Sequence, residues 1–499
     1  MRVPRGHPAD MSGTGYASLL VLLLAAAAGS AVVDAERAEA VVAGRLEWDG
    51  QSDCMTIGST VPVYSPGEES PAAFLVSLDP TGYFVVCGDD RLEPVLAYSY
   101  ENRCCPPGKP SGPMIDLVTS DLHRRIEHAG LMPEDAVRSN RALWEQLETG
   151  GPRTGPLPEQ WPPAGSTPTG GWLEENWTQN APYNTCCPMD LIAGQRSVAG
   201  CPAVAMGSIL HFHAETNGTR FDDGDDYYHN YHEYYWIDDD HQAHDFPSWG
   251  ELNGLLDTLE AHYASGAPTI EDRAALVYAS GAACKQVYTA SVSGTFGVGQ
   301  AYDAYLRFGF DRCELLFESS DSLLERMSLN MMDAMPVHLA IVDEVPQYGH
   351  NLVVDGYSTD GYFHLNFGWG GSANGWYSFP LSGMPYGMNY IEGVLVDIGE
   401  SSQSAEEGVA PAAGVLSVTS LTNPSASVLV LGVSSDRDCR VSLLVYSLNG
   451  SLAKATETDL QRGETVLALP LNDLPSGVYV LRIRSGSRLD SALFTIVGQ

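Results

Sequence analysis

Positive charge is what this sequence has least of. Its 26 Lys and Arg face 63 Asp and Glu over 499 residues, a formal net charge of -37. A nucleic-acid backbone or an anionic membrane surface would repel such a chain, which excludes both as partners. Long apolar runs are scarce too. The run at residues 17–28 (ASLLVLLLAAAA) is shorter than the ~20 residues needed to span a bilayer, and no later stretch qualifies. Preceded by Arg2 and Arg5 and followed by Gly29, Ser30 and Ala31, it reads as a signal peptide cleaved near Ala31 or Ala35, which predicts export. Cysteine is sparse for an exported chain: 10 residues make disulfides possible without making a disulfide-built scaffold. The middle set (Cys186, Cys187, Cys201, Cys284, Cys313) is odd in number, so at least one of its thiols is free or pairs outside the set. Internal repeats and the zinc-peptidase motif His-Glu-x-x-His are absent.

What is present divides into three blocks. In residues 36–150, short apolar strands at Phe74 to Leu78, Tyr83 to Cys87 and Val95 to Tyr98 precede two helical patterns, one from Ile115 through Ile126 and one from Ala136 to Leu147. Residues 151–171 are rich in Gly and Pro and read as an exposed linker open to proteolysis. Residues 172–398 are mixed, with helices predicted over 202–213 and 270–278 and strands over 337–342, 352–357 and 362–367. A second linker, 399–414 (GESSQSAEEGVAPAAG), leads to residues 415–499, where short strands separated by turns such as Asn449-Gly450 predict a small β-sandwich.

Chemistry concentrates in the middle block. Ala199-Gly200-Cys201-Pro202 opens an apolar helix, and Pro202 suits a first helical turn because its missing N–H would be unpaired there. Cys201 then stands at a helix N-terminus, where free N–H groups favour the thiolate. The competing reading is a buried or bridged cysteine. A nucleophilic Cys needs a base brought in by the fold. His350 sits in Tyr348-Gly349-His350-Asn351 at a strand start, and Asn366 lies on the next strand, where it would orient the imidazole. His211, His213 and His364 compete but lack that setting. The acidic stretch 222–245, with His229, His232, His241 and His244, reads as a solvated loop or hairpin; no metal and no cofactor are expected.

Together these segments resemble the streptopain family of secreted bacterial cysteine peptidases, papain-like in fold. Gly200-Cys201 and Phe212-His213 match its nucleophile helix, GHNLVVDGY at 349–357 its histidine strand, NFGWGG at 366–371 the following turn, and Gln179 to Asn184 an upstream motif. The stretch 82–102 is similar to the family's propeptide. The resemblance implies an α+β papain-like domain at 172–398, an inhibitory α+β prodomain at 36–150, and protein or peptide substrates. It also implies roles: Cys201 as nucleophile, His350 as base, Asn366 orienting it, Trp369 shielding the site, and Gln179 with the Cys201 N–H as oxyanion hole. Two positions depart from the family. Phe367 replaces a Trp, and Pro202 replaces an aliphatic residue and removes an N–H, which keeps open a weak or inactive peptidase-like binding protein. The last block, through residues 445–450 and 474–482, resembles a type IX sorting domain and implies that secretion machinery as partner, with an unrelated binding sandwich as the alternative.

Overall fold

A computed structural model describes residues 33–497 apart from 66–67, 105–121, 123–124, 127–128, 154–156, 321, 343–348, 380–389, 400–415, 423–424, 426, 436–438, 448–451, 473 and 486–487. The signal-peptide reading, the second linker and most of the helix expected from Ile115 lie outside the described residues. The first described element was not foreseen: a helix over Ala35–Trp48, whose Asp34 side chain accepts from the Arg37 N–H at 2.9 Å. Cleavage near Ala31 keeps this cap, whereas cleavage at Ala35 removes it.

One eleven-stranded antiparallel sheet runs through the first two blocks. Thr56–Val63, Ala73–Asp79, Tyr83–Cys87 and Val95–Ser99 come from the N-terminal block; Gly375–Ser378, Tyr362–Asn366, Gly349–Ser358, Val337–Val342, Tyr390–Val396 and Glu314–Leu316 follow from the middle block. The seam is the pairing of Tyr98 with Trp376 and Ala97 with Tyr377. The N-terminal block is therefore an extension of the middle block's sheet, with one apolar core continuous across the seam. On the other face of the central strands lies a second core, formed by helices Cys201–His213, Trp249–Ser265, Ile270–Ala283 and Val298–Arg307. Cys201–His213 is apolar nearly all round and buried from Pro202 to Leu210, as a central helix must be.

The linker at 151–171 is only partly free. Gln160–Trp161 adds a short strand against Ser358 and Tyr357, and Thr169, Gly170 and Gly171 are buried, so exposure is confined to its centre, 163–166 and 168. The expectation of an exposed linker from end to end is corrected accordingly. The third block is a β-sandwich of a three-stranded and a four-stranded sheet around Leu429, Leu443, Leu481 and Phe494. Residues 227–237 form a two-stranded hairpin, whose His229 is buried and held by backbone groups of Glu233 and Tyr288.

Candidate active site

Cys201 is the first residue of its helix. The chain enters through Gly200 at φ 86°, a left-handed value that costs an L-residue about 1–2 kcal/mol. A Cβ there would lie 2.8 Å from Gln286 Oε1 and 3.1 Å from the Ser293 carbonyl oxygen. Gln286 is spoken for: its Nε2 donates to the Ala199 carbonyl at 2.6 Å, while the Ala199 N–H donates to the Gln179 carbonyl at 2.8 Å. The approach to Cys201 is thus clamped on both sides, and Gln179 is fixed two residues' distance from the nucleophile's backbone. Pro202 follows at the start of the helix, where no intrahelical donor is lost.

The Gly349–Ser358 strand brings the histidine. The buried His350 has its Nε2 2.9 Å from the Phe367 carbonyl oxygen. A carbonyl only accepts, so Nε2 carries the hydrogen and Nδ1 keeps the lone pair. The expected orienting role of Asn366 is corrected: its Oδ1 accepts from the Gly368 N–H at 3.1 Å, bracing the turn that presents the Phe367 carbonyl and Trp369. The Trp369 ring lies 4.6 Å from the imidazole and 4.9 Å from the Phe367 ring, forming an apolar cover. The turn is tied to the upstream motif by Gly370 N–H donating to the Trp177 carbonyl at 2.7 Å, next to Gln179. Segment 102–104 of the N-terminal block supports it from behind, since the Ala373 N–H donates to the Arg103 carbonyl and the Ser372 hydroxyl to that of Cys104.

Cys201 and His350 are brought to one end of the cleft without a mutual hydrogen bond among the described residues. The side chain that reaches the sulfur is Asn351, its Nδ2 3.9 Å from Sγ. Burial pushes the Cys201 thiol up, with Asn351 and the Cys201 backbone N–H acting in the opposite direction. Burial also pushes the His350 imidazole down to about 4, the Phe367 carbonyl opposing it. Both groups are therefore uncharged near neutrality in this chain. The cleft beside Cys201 measures about 410 Å³, with Pro202, Val287, Val292, Phe296 and Asn351 among its walls.

The competing histidines are engaged elsewhere. His211 Nδ1 meets the Tyr263 hydroxyl at 2.9 Å, His213 is buried beside the backbone of Ile398, and His364 is fully buried with Nδ1 2.6 Å from Asp355. Asn351, His338 and the Phe367 carbonyl were not singled out from the sequence. The period-2 alternation that puts His350 on one side of its strand puts Asn351 on the other, a legible signal for Asn351. A backbone carbonyl has no sequence signal.

Residues 177–377 match the Peptidase C10 family, and residues 422–496 match a secretion system C-terminal sorting domain. Over 334 residues, 63% of this chain, the sequence is 25% identical to the thiol protease/hemagglutinin PrtT of Porphyromonas gingivalis; the chain spans about a third of that relative's length (34%). Among solved structures, a fragment of prointerpain A from Prevotella intermedia is 18% identical, covering 69% of this chain and 100% of that one, with a TM-score of 0.46. Active interpain A from the same organism is 20% identical, covering 46% and 94%, with a TM-score of 0.33. Through residues 177–377 the chain belongs to the Peptidase C10 family, the streptopain family of cysteine peptidases, and it carries a secretion sorting domain behind that segment.

Proposed function

We propose that the protein is an exported cysteine endopeptidase made as a latent precursor, with Cys201 as nucleophile and His350 as general base. The observation that supports this most is the tautomer set on His350 by the Phe367 carbonyl, which leaves Nδ1 as the basic nitrogen at the Cys201 end of the cleft. His350 Nδ1 takes the thiol proton, and the thiolate attacks the scissile carbonyl carbon, forming a C–S bond as the carbonyl π pair moves to oxygen. The Cys201 N–H, free at the helix start, and the Gln179 side chain receive that oxyanion. Collapse expels the amine, which takes the proton back from His350, and water then hydrolyses the thioester. Trp369 keeps bulk water from the imidazole.

Latency is supported by two features. The N-terminal block shares the sheet with the peptidase segment and supports the turn that carries Trp369. In the full chain, burial holds thiol and imidazole in their uncharged forms rather than as a thiolate–imidazolium pair. We read residues 36–150 as the inhibitory prodomain, residues 172–398 as the catalytic domain, and the terminal sandwich as the signal read by the secretion machinery. The test is casein hydrolysis after processing under reducing conditions. Wild type should be active and Cys201→Ala inactive with an unchanged circular dichroism spectrum. Equal activity in the two would sink the assignment, and an inactive but correctly processed wild type would favour a binding protein on a peptidase scaffold.

A further inference from the structure

Behind Cys201, on the side away from His350, three polar side chains run in line into the helical core. Asn351 Oδ1 lies 2.8 Å from His338 Nε2, and His338 Nδ1 lies 3.2 Å from the Tyr305 hydroxyl. We propose that Tyr305, His338 and Asn351 form a one-way chain of hydrogen-bond donors that positions the Cys201 sulfur and favours its thiolate. This rests on the reading of Cys201 as the nucleophile.

The direction of the chain follows from the chemistry of each group. The Asn351 amide presents its NH₂, a donor only, to the sulfur, so its oxygen, an acceptor only, faces His338. His338 Nε2 must then carry the hydrogen. The imidazole is fully buried, and burial holds it down to about 4, so it is neutral and its Nδ1 accepts. Tyr305, also fully buried, donates its O–H. Every hydrogen points toward Sγ, and bonds aligned this way polarise one another. A negative sulfur strengthens each link, whereas a neutral thiol gains little.

Register puts the groups in line. His338 stands opposite Val353 and Asn351 opposite Ala340, so the two are diagonal neighbours on one face of adjacent antiparallel strands. Tyr305 reaches them from the Val298–Arg307 helix on that same face. Reversing the amide would put its oxygen against the sulfur and invert every bond, which disfavours the thiolate. Other groups set the background for titration: His350 on the same strand, Glu392 on Tyr390–Val396 and Tyr231 on the hairpin line or adjoin the cleft. The Glu392 carboxylate is engaged by the Val298 N–H at 3.2 Å.

The experiment uses the full chain. Carbamidomethylation by iodoacetamide is followed from pH 5 to 10 and read at the Cys201 peptide by mass spectrometry, with exposed Cys54 as internal reference. Asn351→Asp keeps the shape but replaces a donor by a carboxylate, so alkylation of Cys201 at pH 7 should slow at least about tenfold and the profile move to higher pH. Tyr305→Phe keeps the ring and touches neither sulfur nor cleft; it should slow the reaction about two- to fivefold, with a smaller move in the same direction. A purely structural role for Tyr305 would leave the profile in place. A Tyr305→Phe profile superimposed on wild type, or an Asn351→Asp protein alkylated as fast as wild type, overturns the proposal. A shifted profile in a chain that hydrolyses no casein would support the donor chain while telling against the peptidase reading.

Discussion

Arg45 is a buried cation that crosses the seam between the N-terminal block and the peptidase segment. Its side chain meets Asp49 at 2.7 Å on its own side and Asp360 at 3.5 Å across the seam, and its guanidinium lies over the rings of Tyr98 at 4.8 Å and Tyr362 at 5.5 Å. Removing one partner of a buried ion pair costs about 3–5 kcal/mol. Here the lower end applies or less, because neither carboxylate is stranded. Asp49 keeps the Tyr100 hydroxyl at 2.7 Å, and Asp360 keeps Arg153 at 3.2 Å and the Ser358 hydroxyl at 2.6 Å. With the lost cation–π contacts at about 1 kcal/mol, Arg45→Met should weaken the seam by about 3 kcal/mol. That raises the population with the N-terminal block detached about a hundredfold. In a Cys201→Ala background this should lower the urea midpoint of the full chain and speed trypsin nicking at the seam. In the active background it should hasten processing. Arg45→Lys, which keeps the charge but loses the planar fork, should fall between. Identical midpoints and processing rates for Arg45→Met and wild type would refute the seam's dependence on this residue.

Three further outcomes follow from the same structure. Processing should cut within 163–168, the exposed centre between Trp161 on its strand and buried Thr169; a mature N-terminus before Gln160 or after Gly171, found by N-terminal sequencing, would contradict this. Acid should destabilise the chain through His213, His338 and His350, whose folded values near 4 lie below the ordinary 6.5. Between those values the unfolded chain binds more protons, so this stability is complete above pH 6.5 and lost toward pH 4, on the order of 3 kcal/mol per histidine. His213→Gln should shrink the fall in urea midpoint between pH 7 and 4.5, and an equal fall in both proteins would count against the cause. Gly200→Ala should cost about 2–4 kcal/mol from its positive φ and the displaced Gln286, with casein hydrolysis down at least tenfold; wild-type activity in that variant would show the entry to the helix is not strained.

How much of this was legible in the sequence depends on the range of the interaction. Turn-bounded apolar strands such as Tyr83–Cys87 and Tyr362–Asn366 were readable because alternation and punctuation are local. The Cys201–His213 helix was readable from Pro202 and its continuous apolar run. The Ala35–Trp48 helix was not, because an alanine-rich stretch beside a signal-like segment has a weak apolar stripe, and its packing against the Glu134–Glu148 helix is a tertiary matter. Nor was the seam at Tyr98 and Trp376 readable, since strand partners nearly 280 residues apart leave no mark in either segment. His350 could be found from its motif, but its actual partner is a main-chain oxygen, which every residue possesses.

That last point changes the weight of the two departures from the family's pattern. Phe367 was a concern because an aromatic side chain had changed. The group that holds His350 at position 367 is the carbonyl, which Phe supplies as well as Trp. The ring still stacks on Trp369 at 4.9 Å, so the apolar cover over the imidazole is kept while an indole N–H, which would need a partner in this fully buried place, is avoided. Pro202 was a concern because it lacks an N–H near the nucleophile. At the start of the helix that N–H would face no intrahelical acceptor, and the oxyanion donor that matters belongs to Cys201 itself. Both substitutions therefore fall on side-chain or backbone groups that the site does not use, and the geometry around Cys201 and His350 is that of a competent pair held uncharged rather than of a site taken apart.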